Sequence, residues 1–190
     1  MPGAAREQTP VRRNTAILNG AAAVFASHGG HVNMNEVAEA VGVARATLYR
    51  YFPSREALLS ELTRTAAGDA AAHLMSAGIG AVSPEDGIAR TVRALIEVGD
   101  GLVLLTRERH RPDVRRFERQ LTQPVHDVFE RGQAGGIIRG DIGSASLLRS
   151  LIGLVVTVLT SDPEPRQEEM TANVTSLFLD GARAHPRPSG

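Results

Sequence analysis

Residues 34–53, MNEVAEAVGVARATLYRYFP, predict two short helices joined by a tight turn, and the rest of the chain is arranged around them. Ala38 is small where two crossing helices need close backbones, and Gly42 stands where the turn between them needs a positive φ angle. Leu48 is apolar where the second helix must face inward. The remaining positions expected to be buried are Val37, Val41, Val43 and Tyr51. This spacing indicates a helix-turn-helix, a motif whose second helix lies in a DNA groove.

Residues on both sides of the motif extend the pattern. Apolar and small residues at 17–18, 21–22 and 24–26 precede it, and residues 47–58, TLYRYFPSREAL, close it. With these flanks, residues 12–60 resemble the amino-terminal domain of the TetR (tetracycline-repressor) family of bacterial transcription regulators. The clear match covers about a quarter of the chain, and beyond it only length and general plan agree.

The resemblance implies an all-α fold of about nine helices. An amino-terminal three-helix DNA-binding domain would precede a helical domain for ligand binding and dimerisation. We expect a flexible arm at 1–10, the DNA-binding domain at 11–60, the helical domain at 61–184 and a flexible tail at 185–190. The sequence pattern also predicts an all-α fold, because apolar residues recur at helical spacing. The alternation of apolar and polar residues that is typical of a strand persists nowhere in the sequence.

Composition excludes several classes of protein. The net charge of the 190 residues is zero, so any charge that meets DNA must be local. Residues 1–55 hold six arginines and three glutamates, which makes this end basic. The absence of cysteine excludes disulfides, zinc fingers and thiol nucleophiles. Since no signal peptide or membrane-spanning run is present, we expect a cytoplasmic protein without membrane contact.

Helix ends can be predicted from capping residues. Asn33 and Glu36 form an asparagine version of the capping box before the first helix of the motif. The second helix begins near Ala44, where the family usually has serine or threonine, so this helix is expected to lack a cap. Ser54 is placed to cap the following helix, and Pro124 is expected to kink or split a later one.

The resemblance also implies roles for individual residues. Base-facing roles fall at the start of the motif's two helices and one turn into the second, on Asn35, Arg45, Ala46, Thr47 and Tyr49. Tyr51 and Arg55 match positions that the family uses for phosphate. Arg50 lies between two tyrosines and is a further candidate for phosphate, as is Ser54 at the start of a helix with free N–H groups.

The physical chemistry of these side chains separates their roles. Arg45 suits guanine, because a guanidinium reaches both O6 and N7, and Ala46 and the Thr47 methyl group suit a thymine methyl. Two phosphate roles have competing interpretations: Tyr51 as core packing with only its hydroxyl outside, and Arg55 as a simple helix-start charge. The charged run at 107–111, RERHR, is interpreted as a solvated junction.

Apolar residues near the carboxyl terminus cover more of a helix than one core-facing stripe requires. In proteins that look like this one, the last two helices pair with their copies in a two-fold four-helix bundle. The predicted interface residues are Leu147, Leu151, Leu154, Val155, Val158, Val174, Leu177 and Phe178. A two-fold dimer would present its recognition helices about 34–36 Å apart, or a multiple of that, to the half-sites of a palindrome.

The family resemblance also implies a small-molecule pocket, whose occupation tilts the fourth helix and releases DNA. Candidate lining residues are His73, Thr106, Phe117, Gln120, Gln123, His126 and Phe129, and an apolar or amphipathic molecule is the preferred ligand. No carboxylate stands at a diagnostic helical spacing from either histidine, so we predict no metal and no cofactor.

The leading hypothesis is therefore a ligand-responsive, homodimeric transcriptional repressor of a palindromic operator. One alternative is a DNA-binding regulator, or an activator, that has no small-molecule ligand. A helical enzyme is a remote alternative, because the chain has no phosphate-binding glycine loop, no His-Glu-x-x-His sequence and no serine nucleophile elbow.

Overall fold

The computed structural model describes residues 10–28, 32–161 and 166–184, except for the side chains of residues 10–13. These residues confirm the all-α prediction and form α1 (Pro10–His28), α2 (Met34–Ala40), α3 (Arg45–Tyr51), α4 (Arg55–Ser76), a short 3-10 helix (Ile79–Ala81), α5 (Pro84–Val98), α6 (Asp100–Arg107), α7 (Pro112–Ala134), α8 (Ser144–Leu159) and α9 (Gln167–Ala182). The predicted tail and residues 1–9 of the predicted arm lie outside this part of the chain, and Pro10, the last residue assigned to the arm, is the first residue of α1. Within it, no helix is long and apolar enough to cross a membrane.

The amino-terminal head consists of α1, α2, α3 and the first turns of α4, which share one apolar core. Ala38 and Leu48 are buried in it, as the motif predicts. Gly42 has φ of 68°, so the predicted left-handed turn between α2 and α3 is confirmed. One residue of this core comes from far along the chain: Leu104 of α6 packs against the head.

The caps of the head follow the sequence. The Asn33 side chain accepts hydrogen bonds from the N–H groups of Asn35 and Glu36, at 2.9 and 3.1 Å, and the Asn33 N–H donates to Glu36 Oε2 at 2.9 Å. This confirms the capping box. At the start of α3, Ala44 makes no side-chain cap, as expected for alanine. At the start of α4, Ser54 Oγ accepts from the N–H of Ala57 at 3.1 Å, which confirms the predicted cap.

Helix α4 joins the head to the body, which consists of α5 to α9 together with the later turns of α4. Its residues Leu58, Leu59 and Leu62 belong to the head core, while Leu74 belongs to the core of the body. The predicted domain boundary at residue 60 thus falls inside one continuous helix.

The body core lies between α5, α7, α8 and α9, where the rings of Phe129 and Phe178 have centroids 5.8 Å apart. Helix α7 runs through Pro124 as one helix and is not split there. Proline removes the N–H that would bond to the carbonyl of Gln120. Both residues are exposed, so water can satisfy that carbonyl.

Candidate nucleic-acid interface

The outer surface of α3 carries the side chains that the motif assigns to base contact. Arg45 and Ala46 are exposed, Thr47 is half-buried, and the exposed fraction of Tyr49 is 43%. Leu48 points the other way, into the head core. Burial of one face therefore fixes which side chains the other face offers to a partner.

Two arginines on this surface, Arg45 and Arg50, form no ion pair with a carboxylate of the described residues. Arg45 makes no hydrogen bond or ion pair with the described residues, and its guanidinium is available to a ligand. The Arg50 guanidinium carbon lies 5.5 Å from the centroid of the Tyr51 ring. Tyr51 is half-buried against the head core, so the structure places its ring in packing, while Arg50 stays exposed.

Asn35 and Ser54 stand at the starts of α2 and α4, and both are exposed. Asn35 takes part in the cap only through its backbone N–H, which donates to the Asn33 side chain. The side-chain amide of Asn35 makes no hydrogen bond with the described residues. The Ser54 hydroxyl is occupied as an acceptor from Ala57 N–H. The start of α4 has N–H groups and the positive end of the helix dipole, which together favour an anion such as a phosphate.

Arg55 has partners inside the chain. Its Nε donates to the carbonyl oxygen of Val32 at 2.9 Å, and its guanidinium carbon lies 5.3 Å from the centroid of the Phe25 ring. These contacts fasten the start of α4 to α1 and to the segment before α2. The structure therefore gives Arg55 a role in the packing of the head, and its proposed phosphate contact stays a prediction.

The sequence comparison bears on this same segment. Residues 17–62 match the family described as "Bacterial regulatory proteins, tetR family". The head of this chain is a TetR-family domain. Two curated relatives, both uncharacterized HTH-type transcriptional regulators of Mycobacterium tuberculosis strains, are 54% identical over 43 residues. The matched segment covers 22% of this chain and 21% of each relative, so these relatives inform only the head.

Solved structures extend the likeness to the whole TetR fold. The ketosteroid transcriptional regulator KstR2 of Mycobacterium tuberculosis aligns with 94% of this chain and 98% of its own, at 20% identity and a TM-score of 0.73. LfrR of Mycobacterium smegmatis, solved with proflavine, aligns with 92% of this chain and 99% of its own, at 20% identity and a TM-score of 0.69. These likenesses show the fold. The family is one of regulatory proteins and not of enzymes.

The ligand candidates of this TetR-fold body are spread over several environments. Phe129 is buried in the core, while Gln120 and Gln123 are exposed on α7. The others are half-buried and have partners: His73 Nδ1 lies 3.0 Å from Glu97 Oε2, Thr106 Oγ1 donates to the Leu102 carbonyl, His126 Nδ1 lies 3.3 Å from Ser144 Oγ, and Phe117 packs near Val114. Among the described residues, no three side chains come together to hold a metal ion.

The dimer candidates divide into two groups. Five of them are buried in the core of their own subunit and present no surface to a partner: Leu147, Leu151, Val155, Val174 and Phe178. Leu154 and Val158 are half-buried on α8, and the exposed fraction of Leu177 on α9 is 64%. The sequence pattern assigned both groups to one interface because these two helices carry apolar residues on more than one side.

Sequence reasoning missed a polar cluster between α4 and α7, which we name the Arg111 cluster (Arg111, Glu56, Ser60, Thr63 and Asp113). The Arg111 guanidinium lies 2.6 Å from Glu56 Oε1 and donates to Ser60 Oγ at 2.9 Å. It also donates to both carboxylate oxygens of Asp113, at 3.2 Å each, and Thr63 Oγ1 donates to Asp113 Oδ2 at 3.3 Å. The partners stand about fifty residues apart, so no local signal reveals them.

Proposed function

We propose that this chain is a homodimeric transcriptional repressor that binds a palindromic operator through α2 and α3 and leaves it when a small apolar or amphipathic molecule binds. The observation that carries the proposal is the outer face of α3. There Arg45, with no partner in the described chain, stands beside Ala46 and Thr47 while Leu48 anchors the helix from behind. A regulator of this kind acts in the bacterial cytoplasm, where the DNA is.

Base recognition follows from the chemistry of that face. The start of α3 enters the major groove, where Arg45 donates to guanine O6 and N7 and discriminates by about 1–3 kcal/mol. Ala46 and the Thr47 methyl group contact a thymine methyl, and Asn35 and Tyr49 contact neighbouring base edges. Arg50, Tyr51 and the N–H groups at the start of α4 bind phosphates, which fix the register without reading sequence.

Recognition of a palindrome requires two copies of α3 related by a two-fold axis. The exposed Leu177, with Leu154 and Val158 at the edges of α8, gives α8 and α9 an outward apolar surface. We propose that the same surface of a second chain covers it, because a two-fold contact uses one patch twice.

Replacing Leu177 tests this dimer. Leu177→Glu places a charge at the centre of the proposed contact and is expected to give a monomer in analytical ultracentrifugation. Met75→Glu is the matched control, since Met75 is 82% exposed at the far end of α4 and outside this surface. A dimer of Leu177→Glu as stable as the wild-type dimer contradicts the interface.

Effector response needs a path from the body to α3. Helix α4 packs against α5, α6 and α7, and the Arg111 cluster ties its first turns to α7. A molecule that moves these helices changes the tilt of α4 and so the separation of the two α3 helices. The names of two TetR-fold neighbours mention a ketosteroid and proflavine, both ring compounds, which supports an apolar or amphipathic effector.

The dispersal of the ligand candidates favours a second candidate function, a DNA-binding regulator or an activator without a small-molecule ligand. Three of the seven are exposed or fully buried in packing, and the half-buried polar ones have intramolecular partners. In this case the DNA-binding face is the same, and only the response differs.

One titration tests these possibilities together. The purified chain is titrated against labelled DNA from upstream of its own gene, with a shuffled duplex of the same length as control. We expect selective binding that weakens steeply with salt, because phosphate contacts release counterions. Equal binding to both duplexes contradicts a regulator. If added apolar or amphipathic molecules never weaken selective binding, the regulator without a ligand is supported instead.

A further inference from the structure

The stretch 107–119, RERHRPDVRRFER, is the one strongly basic stretch that the proposed function leaves unexplained. It holds six arginines and three acidic residues in a chain whose net charge is zero. Arg111 belongs to the cluster described above. The others are exposed, and none forms an ion pair within the described chain; we name them the junction arginines: Arg107, Arg109, Arg115, Arg116 and Arg119.

The structure places this stretch beside the first turns of α4, the end that the proposed function directs towards DNA. Arg111 contacts Glu56 and Ser60, which lie in the first two turns of a 22-residue helix. Such a helix is about 33 Å long. The turn between α6 and α7 therefore lies beside the first two turns of α4, and the start of α4 follows α3 after three residues.

The stretch is held there firmly. Leu104, three residues before Arg107, packs in the head core, so α6 is fixed to the head as well as to the body. Only 16% of the Arg111 side chain is exposed. Burial by itself lowers the pKa of Arg111, but its hydrogen bonds to Asp113 and Glu56 outweigh that effect and raise the pKa above its ordinary value. These charge-assisted hydrogen bonds join the start of α7 to the first turns of α4.

We propose that two junction arginines on either side of this anchor, Arg109 and Arg115, bind phosphates of the operator beside the bases that α3 reads. The inference rests on the proposed function and adds a second phosphate contact, made by the body, to the one made by the head. Arginine suits this role because its planar fork of donors matches phosphate oxygens. The contact is independent of sequence and strengthens binding to operator and other DNA alike.

The chemistry of the stretch favours nucleic acid over a protein partner. Protein interfaces are centred on buried apolar or aromatic anchors. The apolar residues of this stretch, Val114 and Phe117, face the core between α4 and α6. None of the large exposed apolar side chains lies between residues 107 and 119 in the described chain. A surface of charge alone fits a polyanion.

A salt titration measures how many phosphates the chain binds. Arg109→Ala/Arg115→Ala is compared with Arg90→Ala/Arg93→Ala, a control at the opposite end of α4, where Arg90 donates to the carbonyl of Ala77. Each phosphate that the protein no longer neutralises lowers the slope of log affinity against log salt by about 0.9. The loss of both contacts is therefore expected to lower the slope by about 1.8 per subunit in the test variant only, with unchanged preference for operator over shuffled DNA. Equal slopes in wild type, test and control overturn the inference.

The absence of cysteine permits a direct map of position. Arg109→Cys, labelled with an iron chelate that generates hydroxyl radicals, is expected to cut the DNA backbone next to each half-site. Arg50→Cys serves as the positive control and Arg93→Cys as the negative one. If Arg50→Cys cuts and Arg109→Cys does not, this inference is wrong while the regulator stands. If the wild-type chain shows no selective binding, the proposed function itself fails.

Discussion

Gly42 sets the angle between the two helices of the motif. Its φ of 68° lies in the left-handed region, and a Cβ added there would touch nothing within 4 Å. Any cost of a side chain therefore comes from backbone strain and not from a clash.

Gly42→Ala is expected to lower the free energy of unfolding by about 1–2 kcal/mol, the cost of the left-handed conformation for a residue with a Cβ. Gly68→Ala is the matched control, since Gly68 is exposed inside α4 with open space around it. There alanine should stabilise by about 0.5–1 kcal/mol, because glycine is a poor helix former. Urea denaturation measures the free energy of unfolding of both variants. If both substitutions change it in the same direction, this account is contradicted.

The contacts of Arg55 could not be predicted from its position in the sequence. The phosphate contact that the resemblance implies stays a prediction, but the sequence does not reveal that the Arg55 Nε donates to the carbonyl of Val32, 23 residues away, or that its guanidinium lies over Phe25. Both partners are brought together by tertiary packing. By contrast, Ala38, Gly42 and Leu48 take the predicted places because their roles depend on neighbours within a few residues.

At the level of elements, α3 and α4 begin differently. Helix α3 has only seven residues, and its N-cap residue Ala44 makes no side-chain hydrogen bond, while α4 begins with the hydrogen bond from the Ala57 N–H to Ser54 Oγ. Short helices gain little from propensity, so each satisfied N–H at the start counts. The start of α3 is also the part that must be ordered to read bases.

Ala44→Ser is therefore expected to stabilise the head by about 1 kcal/mol, and Ser54→Ala to destabilise it by a similar amount. Thermal unfolding followed by circular dichroism measures both changes. Since Ala44 already has extended backbone angles, with φ of −65° and ψ of 142°, serine needs no rearrangement to cap. A loss of stability in Ala44→Ser would show that the start of α3 is constrained by something other than capping.

Helix ends and caps were predictable because they depend on residues within about four positions, as at Asn33, Ser54 and Gly42. The continuity of α7 through Pro124 was not, since it depends on the exposure of the affected carbonyl. The pattern of apolar residues also did not predict which side chains of α8 lie in the core and which lie at the surface. Leu151 and Leu154 are equally apolar, but only packing against α5, α7 and α9 decides that Leu151 is buried.

In the whole molecule, the Arg111 cluster joins the head to the body through charge. Burial by itself raises the pKa of Asp113, but the hydrogen bonds and charge of Arg111, with the N–H of Val114, outweigh this effect and lower that pKa below its ordinary value. A carboxylate with a lowered folded pKa stabilises the protein above its unfolded pKa. That stabilisation is lost as the pH falls through the folded value.

Asp113→Asn is consequently expected to lower stability at neutral pH and to flatten the further loss of stability below about pH 4, where an unfolded aspartate titrates. Urea denaturation between pH 3 and 7 measures this. Asp69→Asn is the control, because Asp69 is exposed and makes no hydrogen bond or ion pair in the described chain. Parallel pH profiles for wild type and Asp113→Asn would contradict a stabilising charge at this junction.

The account as a whole depends on α3 reading bases through Arg45 while Arg50 touches only phosphate. The most direct measurement is the affinity of wild type, Arg45→Ala and Arg50→Ala for an operator panel in which each base pair of a half-site is replaced in turn. We expect Arg45→Ala to lose its preference at one base pair of each half-site, by about 1–3 kcal/mol, and Arg50→Ala to weaken binding evenly across the panel. If the two variants change the affinities for the panel members in the same way, α3 does not read the operator as described. The same holds if the wild type binds every panel member with equal affinity.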